Sequence, residues 1–115
     1  MKLAIIGSRS FTDYTLMKEN LDKIKHKITE IVSGGARGAD SLARKYSQEN
    51  SIPIKEFIPE WDRYGKSAGF RRNKDIISYC DSMICFWDGK SPGTLSSINL
   101  SEQLNKKFFV VYYNK

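Results

Sequence analysis

The sequence predicts a single α/β domain over residues 1–115, in which helices cover both faces of a mostly parallel five-stranded sheet. Three observations predict this three-layer class: five short apolar runs, helix-like segments that alternate with them, and glycine-containing loops after several of the runs. With 115 residues, of which 40% are hydrophobic, the chain has enough apolar material for one packed domain. In a strand order of 3-2-1-4-5, the switch point lies between strands one and four, and ligands bind outside the carboxyl ends of the strands there.

The first half of the chain contains two units of strand, loop and helix. Residues 2–6 form an apolar run that ends at Gly7, as expected for a buried parallel strand followed by a tight turn. A helical period predicts a helix over residues 15–27, and residues 29–33 form a second short strand. This strand is followed by the loop SGGARGAD and by a predicted helix over residues 39–50.

The second half repeats the alternation. A third strand is predicted over residues 54–58, between two prolines, and residues 60–69 have the composition of a loop. A helix over 70–79 precedes the apolar strand SMICFW, which ends at the loop DGKSPGT. A helix over 95–105 and the strand FFVVYY complete the prediction.

Charge and cysteine content limit the classes of function. The net charge of +6 and the isoelectric point near 9.4 favour an anionic partner, such as a phosphate ester or nucleic acid. Cys80 and Cys85 are the only cysteines and have no histidine nearby, so we expect buried thiols, no metal site and no cofactor. No stretch approaches the ~20 apolar residues of a membrane span, and the first residues do not resemble a signal peptide. We therefore expect a cytoplasmic protein without a membrane partner.

The loops that follow strands one, two and four contain the candidate ligand-binding residues. Gly34, Gly35 and Gly38 can bring the backbone close to a ligand, and the helix after them directs free N–H groups toward the loop, as in a phosphate cradle. The structural alternative is a tight turn between strand and helix. Arg9 and Arg37 could hold one phosphate with two guanidinium groups, and the alternative is that both are solvated surface charges.

Two further side chains have both a structural and a functional interpretation. Asp40 in the first helical turn either caps the helix or binds a ribose hydroxyl. Trp87 either closes a small core or stacks on a base, and it is favoured for ligand contact over Trp61 and Tyr64. The complete predicted ligand-binding set is Gly7, Ser8, Arg9, Ser33, Gly34, Gly35, Arg37, Gly38, Asp40, Arg72, Asn73, Trp87, Asp88, Gly93 and Thr94.

Four ordered motifs give the sequence a family resemblance. GSRSFTDY, SGGARGADSLARKY, EWDRYGKSAGFRRN and CDSMICFWDGKSPGT together resemble the YspA-like branch of the SLOG superfamily, which also holds the LOG phosphoribohydrolases and the DprA/Smf proteins. The resemblance covers nearly the whole chain. It implies a Rossmann-like fold and the binding of nucleotides, nucleotide-derived signals or, in the DprA branch, single-stranded DNA.

The resemblance also implies where hydrolase chemistry would lie. In LOG enzymes an arginine before strand four and a glutamate just after the PGGxGT loop cleave the N-glycosidic bond of nucleoside monophosphates. Arg72 looks like that arginine, but Ser97 stands where the glutamate is expected. An enzyme would therefore use Arg72 together with Asp88 or Asp40 as its acid or base.

Three functions follow, in order of preference. The first is a sensor or sequestering module that binds a nucleotide or nucleotide-derived small molecule. The second is a hydrolase of a nucleotide N-glycosidic or phosphate-ester bond, and the third is single-stranded nucleic-acid binding with steep salt dependence. A symmetric homodimer or higher homo-oligomer is compatible with each of them.

Overall fold

A computed structural model describes residues 1–113 and confirms the predicted fold class. Five strands form one sheet in the order β3-β2-β1-β4-β5, which is the order that places the switch point between β1 and β4. All neighbouring strands described are parallel, and Ala4 at the centre aligns with Val32 on one side and Met83 on the other. The strands are β1 (Lys2–Gly7), β2 (Glu30–Ser33), β3 (Ile54–Glu56), β4 (Ser82–Trp87) and β5 (Lys107–Tyr112).

Helices on both faces of the sheet produce the three layers. The helices are α1 (Tyr14–Asp22), α2 (Ala39–Asn50), α3 (Trp61–Tyr64), α4 (Ala68–Tyr79) and α5 (Pro92–Gln103). On one face, Met17 and Leu21 of α1 and Tyr46 of α2 are buried against the sheet. On the other face, Ile77 of α4 and Ile98 of α5 form a second apolar cluster with the sheet. No helix within residues 1–113 is long and apolar enough to cross a membrane.

The predicted helix over residues 15–27 is too long. α1 ends at Asp22, and a separate 3-10 turn covers Lys25–Lys27. Ile24 and Ile28 nevertheless pack against the same apolar cluster as α1. The helical spacing of apolar residues extends past the end of α1, because the 3-10 turn brings Ile24 and Ile28 to the same core.

The prediction of a loop over residues 60–69 is wrong for most of its length. α3 begins at Trp61, a 3-10 turn covers Gly65–Ser67, and α4 begins at Ala68 rather than at residue 70. Gly65 ends α3 with φ +56, while Ala68 is buried, with 1% of its surface exposed. Polar composition indicated a loop here because the short helical turns bury few side chains.

Smaller differences of one to three residues concern the ends of several elements. β3 ends at residue 56 rather than 58, and β5 covers residues 107–112 rather than 108–113. α5 begins at Pro92 rather than at residue 95. Proline is favoured in the first turn of a helix because it lacks the N–H that would have no partner there, so this start had a sequence signal.

At the amino edge of the sheet, hydrogen bonds join β1 to the residue before β4. The backbone N–H of Lys2 donates to Oδ2 of Asp81 at 2.7 Å, and the N–H of Asp81 donates to the carbonyl oxygen of Lys2 at 2.8 Å. The Lys2 N–H is the main reason that the pKa of the Asp81 carboxyl lies below its ordinary value. The carboxyl edge, in contrast, has the glycine loops and an open cavity.

Candidate functional site

A cavity of about 440 Å³ opens at the carboxyl edge of the sheet. The loops after β1, β2 and β4 all contribute to its lining, together with α4, as parallel topology requires of the switch point. The structure brings ten of the predicted residues to this lining: Gly7, Ser8, Arg9, Gly34, Arg37, Asp40, Arg72, Asn73, Gly93 and Thr94.

Glycines allow the loop after β1 to pack directly against the start of α2. A Cβ on Gly38, which has φ +71, would overlap the carbonyl oxygen of Ser8. That oxygen accepts hydrogen bonds from the N–H groups of Phe11 and Ala39, both at 3.2 Å. A Cβ on Gly7 would lie 2.6 Å from the Cβ of Ala39. The two loops therefore form one packed unit beside the cavity.

Arg72 of α4 reaches across the cavity to the glycine loop. Its Nη1 donates to the carbonyl oxygen of Gly34 at 2.7 Å, and its Nε donates to Oδ1 of Asn73 at 2.8 Å. Partial burial lowers the pKa of the Arg72 guanidinium, and the nearby charge of Arg9 lowers it further, while Asp40 opposes both effects. Arginine remains protonated in proteins, so the cavity keeps this positive charge.

Two other arginines lie in the lining with few internal partners. Arg9 and Arg37 are exposed, and neither forms a salt bridge within residues 1–113. Asp40 is the carboxylate of the lining, and its Oδ2 accepts a hydrogen bond from the N–H of Ala36 at 3.1 Å. This hydrogen bond stabilises the glycine loop. Because the described lining has three guanidinium groups and one carboxylate, it is suited to an anion.

The start of α5 forms another wall of the cavity. Ser91 precedes the helix without a side-chain cap on its free N–H groups. Thr94 is 3% exposed, lines the cavity, and its hydroxyl has no hydrogen-bond partner within residues 1–113. Ser97 is also buried, and its Oγ donates a long bond of 3.4 Å to the carbonyl oxygen of Gly93. This wall therefore offers hydroxyl groups and backbone donors.

Three predicted residues in the glycine loop lie just outside the lining and support it. Ser33 is fully buried, and its Oγ accepts a hydrogen bond from the N–H of Gly35 at 3.5 Å. A Cβ on Gly35 would overlap Cδ1 of Ile58, and Gly38 packs on Ser8 as described above. These positions shape the loop.

The structure also places Trp87 and Asp88 outside the lining. The indole N–H of Trp87 donates to the carbonyl oxygen of Ser91 at 3.1 Å, and its ring packs on Tyr112 with 5.7 Å between centroids. Oδ1 of Asp88 accepts from the N–H groups of Lys90 at 2.9 Å and Ser91 at 2.8 Å. Both side chains fix the turn before α5.

Sequence reasoning missed several residues of the lining. Ile6, Ser10, Ala36, Ile76, Ser91 and Ser97 contribute to it and were not among the predicted ligand-binding residues. Ser10 and Ala36 are adjacent to predicted loop residues and Ser91 lies two residues before Gly93, so proximity in sequence was a usable signal. Ile6 and Ile76 carried no such signal because both positions are typical of the core.

A groove of about 470 Å³ lies between the end of β3 and α4, and Arg72 lines both this groove and the cavity. Lys55, Arg71 and Lys74 are its other cationic residues, and Glu56, Glu60 and Asp75 are the acidic ones. Two of the acidic side chains form salt bridges. Oε2 of Glu56 lies 2.6 Å from Nη2 of Arg44, and Oε2 of Glu60 lies 3.8 Å from Nη1 of Arg63.

Within residues 1–113, no group of three or more histidine, cysteine, aspartate or glutamate side chains could hold a metal ion.

Comparison with protein families gives a match at residues 1–64 to the model of the YspA, cpYpsA-related SLOG family. Among individual proteins, the chain is similar to the gene 61 protein of Mycobacterium phage D29. The two are 31% identical over 102 residues, which are 81% of this chain and 82% of the phage protein.

Among solved structures, the chain is similar to DNA processing protein A (DprA) from two bacteria. DprA from Streptococcus pneumoniae matches 98% of this chain with a TM-score of 0.82, and its 19% identity shows likeness of fold alone. DprA from Helicobacter pylori, described for its single-stranded DNA binding mode, matches 99% with a TM-score of 0.73 and 27% identity. This chain spans 50% of the first protein and 66% of the second.

Proposed function

The chain belongs to the YspA, cpYpsA-related SLOG family, and on that premise we propose that it binds a nucleotide or nucleotide-derived ligand within one domain formed by residues 1–115. The proposed site is the cavity at the carboxyl edge of the sheet. The proposed role is that of a sensor or sequestering module, which binds the ligand without cleaving any of its bonds.

The observation that carries this proposal is the charge of the cavity. Arg9, Arg37 and Arg72 face a space whose lining carboxylate, Asp40, is already bonded to the glycine loop. Guanidinium groups form strong, charge-assisted hydrogen bonds with phosphate oxygens. The start of α2 adds free backbone N–H groups and the positive end of the helix dipole.

The two ends of the cavity differ in a way that suits a nucleoside phosphate. The phosphate belongs with the arginines and the glycine loop. The nucleoside belongs at the α5 end, where Thr94 and Ser97 offer hydroxyl groups. β1 separates β2 from β4, and neighbouring strands are about 4.8 Å apart, so the carboxyl ends of β2 and β4 lie about 10 Å apart. The loops that follow them can therefore contact different parts of one ligand.

Native mass spectrometry of the purified protein tests for a retained nucleotide, and calorimetric titration with AMP tests affinity. Arg37→Gln is the informative variant because Arg37 is exposed and forms no salt bridge within residues 1–113 that folding would lose. We expect it to weaken AMP binding about tenfold, in line with the loss of one charge-assisted contact. Arg63→Gln removes an equal charge outside the cavity and should leave affinity unchanged. Equal affinities of both variants would contradict the proposed site.

The hydrolase alternative makes a separate prediction from the same cavity. Asp40 is the carboxylate in the lining, whereas Asp88 is outside it and is bonded to Lys90 and Ser91. If the bound nucleotide is cleaved during incubation, Asp40→Asn should abolish release of base or phosphate while AMP still binds. Recovery of the intact nucleotide after long incubation supports the binding module instead.

Single-stranded DNA binding is a further candidate function, favoured by the groove that shares Arg72 with the cavity. A strand whose phosphate occupies the cavity could continue past Arg72 to Lys55, Arg71 and Lys74. The described function of H. pylori DprA, which matches 99% of this chain, supports the same candidate. Polynucleotide binding of this kind releases counterions, so its affinity falls steeply with salt.

Titration of a fluorescent thymidine oligonucleotide at several salt concentrations separates the two candidates. For strand binding, replacing Arg71 and Lys74 with glutamine should reduce the slope of log affinity against log salt by about 0.7 per lost phosphate contact. AMP affinity should not change, because neither residue lines the cavity. An oligonucleotide that binds no better than AMP, with no effect of this double substitution, would exclude the groove as a strand site.

A further inference from the structure

We propose that Tyr113 is a positioning residue for the ligand. Its hydroxyl holds the Ser8 hydroxyl at the cavity wall and leaves the Ser8 proton available for the ligand. This inference rests on the binding function proposed above and extends it to a residue that lies beyond β5 and outside the cavity lining.

The position of Tyr113 is fixed in two ways. Its backbone N–H donates to the carbonyl oxygen of Trp87 at 3.1 Å, which continues the pairing of β5 with β4. Its ring packs edge-on against Phe11 with 4.7 Å between centroids, and Phe11 in turn stacks on Phe86 at 5.1 Å. Backbone and ring together hold the hydroxyl in one place, so it can act as a fixed reference for its neighbour.

Ser8 is the neighbour that connects this hydroxyl to the cavity. Its Oγ lies 2.7 Å from the hydroxyl oxygen of Tyr113 and 3.1 Å from Oγ of Ser10. Its carbonyl oxygen accepts the N–H groups of Phe11 and Ala39, so its backbone is tied to both loops of the site. Ser8 therefore lines the cavity while its backbone and side chain are both restrained.

The hydrogen-bond capacity of serine determines where the Ser8 hydroxyl proton can point. A hydroxyl has one proton to donate and two lone pairs to accept with. When Tyr113 donates to Ser8, the Ser8 proton is free to point toward Ser10, which is exposed, or toward a ligand oxygen. A ligand in the cavity can take the place of Ser10 and receive a donor that is already aligned, at a small entropic cost.

A double-mutant cycle on AMP affinity tests the proposal with four proteins: wild type, Tyr113→Phe, Ser8→Ala and the double variant. Phenylalanine keeps the ring and removes only the hydroxyl. We expect Tyr113→Phe to weaken AMP binding about threefold to tenfold, the range of one net hydrogen bond. The double variant should bind no more weakly than Ser8→Ala alone, because Tyr113 acts through Ser8. Tyr112→Phe, an exposed neighbour, is the matched control and should bind as wild type.

A second measurement needs no ligand. Hydrogen exchange at the amides of Phe11 and Ala39, which both donate to the Ser8 carbonyl oxygen, should be faster in Tyr113→Phe than in Tyr112→Phe. Unchanged exchange, or the same loss of affinity with and without the Ser8 hydroxyl, would overturn the positioning role. A folded wild type that binds no nucleotide refutes the proposed function instead, and the exchange rates still decide whether Tyr113 restrains the loop.

Discussion

Replacing Gly38 with alanine is the sharpest test of how the two site loops are built. Gly38 adopts φ +71 and ψ −124, a conformation that is costly for a residue with a side chain. The added Cβ would also overlap the Ser8 carbonyl oxygen and lie 2.5 Å from the carbonyl carbon of Arg9. Both obstacles are backbone atoms, so no flexible side chain can move aside to make room.

The expected loss in the free energy of unfolding is the sum of two effects. The backbone conformation costs about 1–3 kcal/mol, and the overpacking costs about 1–3 kcal/mol. We therefore expect Gly38→Ala to lower the free energy of unfolding by about 2–6 kcal/mol, out of the roughly 5–15 kcal/mol typical of a domain. Urea denaturation followed by circular dichroism measures this change.

Two other glycines separate the effects. Gly89 has φ +80, and a Cβ added there would meet nothing within 4 Å, so Gly89→Ala should lose only about 1–2 kcal/mol from the backbone conformation. Gly93 also has open space and no positive φ, so Gly93→Ala in α5 should be neutral or up to about 1 kcal/mol more stable. If Gly38→Ala were no less stable than Gly89→Ala, the close approach of the two loops would be refuted.

Three further predictions concern single groups. Arg72→Lys keeps the charge but loses the planar set of guanidinium donors, so AMP affinity should fall about tenfold by calorimetry. Unchanged affinity would show that ligand binding does not use the geometry of the guanidinium. The Tyr46 hydroxyl bond is the main reason that the pKa of Asp22 is low, so Tyr46→Phe should raise that pKa in an NMR titration. The stability from ionised Asp22 is present above its unfolded pKa and is lost as the pH falls through the folded value; an unmoved pKa would contradict this cause. Burial raises the pKa of Cys85 to about 12, so a thiol reagent at pH 8 should modify it only in denaturant, and rapid labelling of the native protein would contradict the buried thiol.

The strands were predictable because each has a strong local signal. β4 is a continuous apolar run between polar loops, and its predicted bounds agree with Ser82–Trp87. The alternation of strands and helices predicted a parallel sheet, whereas the order of the strands entered the sequence analysis only as a condition. The segment from Trp61 to Ser67 could not be predicted in the same way, because its short turns are stabilised by contacts such as Arg71 on the ring of Tyr64, 4.3 Å away.

The site was predictable where residues follow the carboxyl end of a strand. Ser8, Arg9 and the glycine loop reach the cavity through topology alone. The side of the loop on which Trp87 lies could not be predicted, because a hydrogen bond to the Ser91 carbonyl oxygen and packing on Tyr112 decide it. The homo-oligomer and the cytoplasmic location stay predictions.

The bonds exchanged by Lys2 and Asp81 at the amino edge have a consequence for how the protein can change. β1 has six residues, so these bonds lie roughly 15–20 Å from the glycine loops at its other end. At such distances the energetic effects of substitutions usually add independently. A stabilising substitution at the amino edge can therefore offset a destabilising one in a loop. This separation gives selection, or an engineer, a way to alter ligand preference at one end of the sheet while restoring stability at the other.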